Sequence, residues 1–272
     1  MSYRIIDPHV HVWTQNSQYP WASEHLNPPG TEKNVEMLVA HMRHNGVAHT
    51  VLVQFIGYRW DNSYTLAAMR QYPGLFQAVA RVNPLDPASP QQTFKLKEQG
   101  FHGIRLSPAA DGSGDWYRGP LMPPLWKAAS DAKVPMQILA GPSRMPDTGA
   151  LIEKFPDLDV VIDHMADTPL DGDLDKLIAL ARYPRVFVKI SHTWALSKQK
   201  YPWRDAHEHV KRLYAAFGPQ RLMWGSDWPV CEGQRGSYAE ALTSVRDEMK
   251  FLNDEDRLWI LSKTIERIWK FL

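Results

Sequence analysis

In this chain of 272 residues, 31 lysines and arginines balance 30 aspartates and glutamates, so no long-range field is available to gather nucleic acid or an anionic membrane. A small-molecule partner is expected, and the length suits one large core. The single cysteine, Cys231, excludes an internal disulfide framework and fits a reducing compartment, and no apolar stretch has signal or membrane-span length, so a cytoplasmic protein is expected.

The first apolar run, Tyr3-Arg4-Ile5-Ile6, closes on Asp7-Pro8-His9-Val10-His11. Side chains two apart on a strand leave the same face, so His9 and His11 can point at one object, which is metal-donor geometry. Taken alone, the motif equally describes two polar histidines at a strand end. Pro8 cannot donate to a sheet ladder, which places the histidines at the carboxyl tip of the strand.

With that first strand at 3–10, further β-rich runs follow at 49–55, 75–82, 101–107, 134–140, 158–163, 185–191 and 220–226. Amphipathic stretches such as 31–45, 60–71, 121–131, 173–181 and 204–217 lie between them, and two more helical stretches follow the last strand. This alternation predicts an α/β fold with a parallel sheet. No Gly-rich phosphate loop follows any strand, which favours a closed (β/α)8 TIM barrel, regular or distorted, over an open doubly wound sheet. No linker or composition break divides residues 1–272, so a single barrel domain is expected.

Barrel active sites form from the loops after the strands, and this sorts the eleven histidines. His49 and His102 precede strands two and four and belong to the opposite face. His41 with His44, and His207 with His209, lie on helical segments and are expected in solvent. His25 sits in the long loop after strand one with nothing to fix its direction. His164 stands at the end of Leu158-Asp159-Val160-Val161-Ile162-Asp163, and Asp227 has the same relation to Arg221-Leu222-Met223-Trp224-Gly225-Ser226. His9, His11, His164 and Asp227 therefore converge on one mouth, and such a donor set suits one divalent ion, zinc above all. A polar mouth without metal is the alternative.

Asp-Pro-His-Val-His near the start, Val-Ile-Asp-His at 161–164 and Gly-Ser-Asp-Trp-Pro at 225–229 resemble the amidohydrolase superfamily, in its amidohydrolase 2 branch. Val-Leu-Val-Gln (51–54), Gly-Ile-Arg-Leu (103–106) and Lys-Ile-Ser (189–191) are similar to the lactonase-like metal-dependent hydrolases of that branch. The resemblance implies a hydrolase that opens a small lactone derived from a sugar or from aromatic catabolism. A metal-dependent decarboxylase or hydratase acting on a small unsaturated carboxylic acid shares the branch and is the alternative. Binuclear members carry a lysine after strand four and a histidine after strand five, where this chain has Arg105-Leu106-Ser107 and Leu139-Ala140-Gly141. A bridged two-metal site is therefore not expected. Some lactonase-like relatives work without metal, which leaves metal-free operation open. Thr264-Ile265 stands where many relatives have Asn-Ala.

Within this frame Asp227 is the expected general base, and His164 is either a metal donor or the polariser of the carbonyl. Arg105, at the end of strand four, is the first candidate for gripping a substrate carboxylate or carbonyl. Arg59, Arg144 and His192, in loops after strands two, five and seven, are further candidates, with pairing to a neighbouring acid as the plainer role. Trp13, Trp21, Trp60, Trp116, Trp194, Trp203 and Trp228 fall in loops after strands, so an aromatic-lined pocket is expected, with Trp116 and Trp228 as substrate contacts. Asp163, next to His164 on the strand, is expected to face away from the interior. Cys231 reads as a bystander, and no oligomeric state can be read from the sequence.

Overall fold

The computed structural model of the chain describes residues 4–23, 29–108, 111 and 115–271. Eight strands pair in parallel and in chain order: Ile5–Val10 (β1), Val47–Val53 (β2), Phe76–Arg81 (β3), Ile104–Leu106 (β4), Met136–Ile138 (β5), Val160–Ile162 (β6), Val186–Lys189 (β7) and Leu222–Met223 (β8). The circle is completed just beyond β8, where His11 N donates to Trp228 O at 2.7 Å and Asp227 N to His9 O at 2.9 Å. Trp224 adds its indole N–H to Ile6 O across the same seam at 2.5 Å. The architecture is a (β/α)8 barrel. Seven strands lie inside an expected run, whereas β2 begins two residues ahead of the run at 49–55, so that His49 falls within the strand and not before it. Strands β4, β5, β6 and β8 are shorter than their runs, because their flanks leave the ladder to build the ends of the barrel.

The helices form where capping and spacing agree. In Val35–Asn45 (α1), the Asn34 side chain accepts from Met37 N, Gly46 ends the helix at φ 69°, and Val35, Leu38, Val39 and Met42 make the buried stripe. Ser63–Gln71 (α2), Ser89–Gln99 (α3), Met122–Ala132 (α4), Met145–Lys154 (α5), Asp175–Ile178 (α6), Thr193–Leu196 (α7) and His207–Phe217 (α8) follow in turn. His207 and His209 are buried, not solvated: His209 Nε2 is 3.0 Å from Pro169 O, and a ring with a fixed partner can leave water. His41 is half-buried against Glu232 and His44 is exposed. His25 lies outside the described residues.

Below the barrel, Trp269 is wholly buried with its indole N–H on His102 O at 2.9 Å, and the Phe271 ring lies 4.8 Å from His49. The C-terminal segment thus covers the amino ends of the strands, as the positions of His49 and His102 require. Among the described residues no helix is long and apolar enough to cross a membrane.

A candidate active site at the barrel mouth

Strand alternation brings His9 and His11 to one side, with their Nε2 atoms 3.3 Å apart. His11 Nδ1 lies 2.7 Å from Val53 O at the end of β2. A carbonyl only accepts, so Nδ1 carries the hydrogen, and in the neutral ring Nε2 keeps its lone pair. His9 Nδ1 meets Lys189 Nζ at 3.0 Å and Asp163 Oδ1 at 3.3 Å. His164 Nδ1 is tied to Ser191 Oγ at 2.7 Å. Asp227 Oδ1 stands 3.2 Å from His11 Nε2 and 3.6 Å from His9 Nε2, while its Oδ2 lies 2.7 Å from His192 Nε2.

The backbone holding these groups is unusual. His164, Met165, Ala166 and Asp167 all have positive φ, as do His192 (67°) and Asp227 (53°), and none is glycine. Non-glycine residues in this region carry strain and persist where the surroundings over-determine them. One consequence corrects an expectation. The strand ends at Ile162, so alternation no longer separates Asp163 from His164, and both face the interior. Asp163 is fully buried, its Oδ2 accepting from Arg105 Nε at 2.9 Å and Gln137 Nε2 at 3.1 Å. Its Oδ1 lies 3.2 Å from Lys189 Nζ.

Burial and the Lys189 ammonium push His9 down to about 3. Burial, with His192 and His9 alongside, holds His164 well below the usual imidazole range. Both rings are therefore neutral near pH 7. Burial alone would lower His192 too, but its hydrogen bonds to Asp167 and Asp227 outweigh it and raise the ring to about 9. His192 is thus an imidazolium donating at both nitrogens, to Asp167 Oδ1 at 2.6 Å and to Asp227 Oδ2, with its ring stacked on His164 at 3.5 Å. Burial would raise Asp227, yet the contacts with His11 and His192 hold its carboxyl well below the usual range. Lys189 is lowered by burial to about 8, against the attraction of Asp163.

This donor set fits a cation. The donor atoms of His9, His164 and Asp227 lie within 4.8 Å of one another, and His11 borders two of them. Among the described residues Asp227 Oδ1 is buried without a hydrogen-bond partner, and the nitrogen nearest to it, His11 Nε2, carries a lone pair whenever that ring is neutral. With that ring neutral, two acceptors stand 3.2 Å apart in a buried site, an arrangement that a cation completes.

The model of the family described as amidohydrolase matches residues 6–271. The chain belongs to the amidohydrolase family. Over 249 residues it is 28% identical to an L-fucono-1,5-lactonase of Burkholderia ambifaria, covering 88% of this chain and 85% of that one. It is 26% identical over 235 residues to a 4-sulfomuconolactone hydrolase of Hydrogenophaga intermedia, covering 82% and 74%. The crystal structure of a probable 2-pyrone-4,6-dicarboxylic acid hydrolase from Acinetobacter baumannii, with citric acid bound, superposes with a TM-score of 0.86 at 22% identity, covering 99% and 100%.

The other candidates of this amidohydrolase are placed unevenly. Arg105 is buried at the middle of the three-residue β4, not at its end as expected, and is committed to Asp163 through Nε. Arg59 lies over Trp60, 5.7 Å from the ring, and 3.6 Å from Asp111. Arg144 does not join the cluster: its Nη1 is held by Asp115 at 2.5 Å and by Asp147 at 3.3 Å, which links the loops after β4 and β5. Trp228 is wholly buried beside His41 and Lys33, so it is packing beneath α1 and not a wall open to a ligand. Trp116 is buried with its indole N–H on Asp111 O at 2.7 Å, and Trp13, Trp194 and Trp203 are buried as well. The expected aromatic wall is mostly loop-on-loop packing, which leaves Trp21 and Trp60 half-buried. Cys231 is buried, and burial pushes its thiol up. Asp163, Lys189, Asp167 and Ser191 were not among the expected site residues. Lys189-Ile190-Ser191 was legible as one of the motifs shared with the lactonase-like hydrolases, but nothing in it assigned Lys189 or Ser191 a place at the site.

Proposed function

We propose that this amidohydrolase opens a small lactone by hydrolysis at the barrel mouth, with Asp227 as the base. The observation that carries the reading is the state of Asp227: one oxygen is fixed by the imidazolium of His192, and the other is buried beside His9 and His11 with no hydrogen-bond partner among the described residues. The two curated relatives, each named for a lactone, support hydrolysis over decarboxylation.

The depressed carboxyl is ionised throughout the neutral range, so the base is always in its working form, at some cost in intrinsic basicity. Oδ1 takes the proton of the attacking water and returns it to the alkoxide released when the ring opens. His192 keeps the carboxylate from rotating. His9, His11, His164 and Asp227 would hold one divalent ion, zinc being the best match to imidazole and carboxylate donors, which would supply Lewis acidity and a lowered pKa for water. Without an ion, Arg105 and the imidazoles are the groups left to stabilise the oxyanion. The lone buried Cys231 supports a cytoplasmic setting.

Acid release from a panel of sugar-derived and unsaturated lactones tests the reading. Asp227→Asn should fold normally and lose roughly 10²–10⁴-fold in rate, the contribution of a positioned proton acceptor. A wild-type protein that opens none of the lactones, or an Asp227→Asn variant at the normal rate, refutes it.

A further inference from the structure

Arg81 has no part in the chemistry above, although it stands at the same mouth. It ends β3, and the parallel register sets it opposite Arg105 of β4, so the two side chains leave the sheet on one side. Arg105 reaches Asp163, which in turn lies against His9, so that side is the interior and leads to the candidate active site. Arg81 is wholly buried. Its Nη2 is bonded to Asp111, but Nε and Nη1 have no partner among the described residues. Arg59 adds a third guanidinium 3.6 Å from Asp111, over the Trp60 ring that Arg81 also faces at 5.4 Å.

Three buried cations, Arg81, Arg105 and Lys189, thus face two buried carboxylates, Asp111 and Asp163, with Arg59, 27% exposed, at the edge. A positive surplus in a water-poor interior, together with donors that no described residue pairs, is costly unless an anion completes it. A planar fork with two open N–H groups matches a carboxylate.

We propose that Arg81, with Arg105 beside it, forms a subsite for a carboxylate carried on the substrate ring. The inference rests on the lactone reading and narrows it, favouring an acidic lactone over a neutral sugar lactone. Asp111 holds the guanidinium in place through Nη2 and leaves the Nε and Nη1 edge for the substrate.

The test compares a lactone bearing a ring carboxylate with the same lactone as its carboxamide. The wild-type enzyme should favour the acid in kcat/KM by roughly 100-fold, the scale of a charge-assisted hydrogen-bonded pair. Arg81→Met should collapse that ratio towards one. Arg81→Lys, which keeps the charge and loses the fork, should lower it about tenfold, and it serves if the methionine variant does not fold. Equal turnover of acid and amide by the wild type, or a parallel loss on both in the variants, overturns the subsite. Calorimetric titration with inert tetrahydropyran-2-carboxylate and its carboxamide separates this inference from the lactone reading. Carboxylate-selective binding that depends on Arg81 supports the subsite even if no lactone is opened, and its absence refutes the subsite even if lactones are.

Discussion

Replacing His192 with phenylalanine keeps a flat ring against His164 and removes both donors, so it isolates what the imidazolium does. In the intact protein that ring donates to the buried Asp227 Oδ2 at 2.7 Å and to Asp167 Oδ1, nearer the surface, at 2.6 Å. Losing a hydrogen bond between charged groups is worth about 1.5–3 kcal/mol, and a buried carboxylate left short of a donor costs a similar amount. If the carboxylate is needed in one orientation, that loss appears in kcat as roughly 10–150-fold. The same loss should lower the melting temperature by a few degrees, at ~2–4 °C per kcal/mol for a domain of this size class. Bound metal, counted per chain by elemental analysis, should be unchanged, because His192 holds Asp227 through Oδ2, while Oδ1 is the oxygen beside His9 and His11. Initial rates on a lactone that the wild type opens, together with thermal unfolding, measure both effects. Asp167→Asn, whose side chain is 40% exposed, should cost less than His192→Phe on both scales. His192→Phe at full rate with an unchanged melting temperature would refute the positioning role.

Two further outcomes follow from the arrangement of charges. Elemental analysis of untreated protein should find no more than about one divalent ion per chain, because the second-site positions hold Arg105 and Ala140, and two tightly bound ions would contradict this. Arg144→Ala should leave kcat/KM within about twofold and shift melting by less than ~2 °C, since its partners Asp115 and Asp147 form an exposed network with Arg118; a loss beyond tenfold would return Arg144 to the substrate.

Much of the barrel was legible because its strands are short β-branched runs ending in polar residues, as in Val160–Ile162 before Asp163 and His164. His9 and His11 were legible because side chains two apart at the end of β1 still meet, their Nε2 atoms 3.3 Å apart, although the pairing with β2 shifts register between Asp7 and Val10. Alternation fails after β6, and no local residue type signals it: Met165 and Ala166 adopt positive φ with side chains that ordinarily avoid it. Asp163 was therefore assigned to the wrong face. Lys189 was hidden for another reason, since a charged residue inside a strand reveals its role only when its partners, from β1 and β6, are in place. The tryptophans misled because a loop position fixes the end of the barrel but not the direction of the ring, and Trp228 turned beneath α1.

Lys189 also bears on how tightly a metal can be held. Its ammonium lies 3.0 Å from His9 Nδ1, on the side of the ring opposite the Nε2 that faces Asp227, and it is fully buried. A divalent ion at Nε2 would therefore meet a like charge across one imidazole, in a medium where such repulsion is far larger than in water. Lys189 also competes for Asp163 Oδ1, the carboxylate oxygen best placed to accept His9 Nδ1–H and make Nε2 a stronger donor. Lys189→Met removes both handicaps at nearly constant volume. It also leaves Asp163 with Arg105 and Gln137 as partners, so the carboxylate is not stranded. Zinc affinity, measured by competition with a chromophoric chelator, should rise by about tenfold or more, the scale on which partners behind a metal-binding histidine act. Stability without metal should fall, because an ion pair within the core is lost. An unchanged or weaker zinc affinity in folded Lys189→Met would mean that Lys189 does not oppose the ion, and that the charge balance drawn around His9 is wrong.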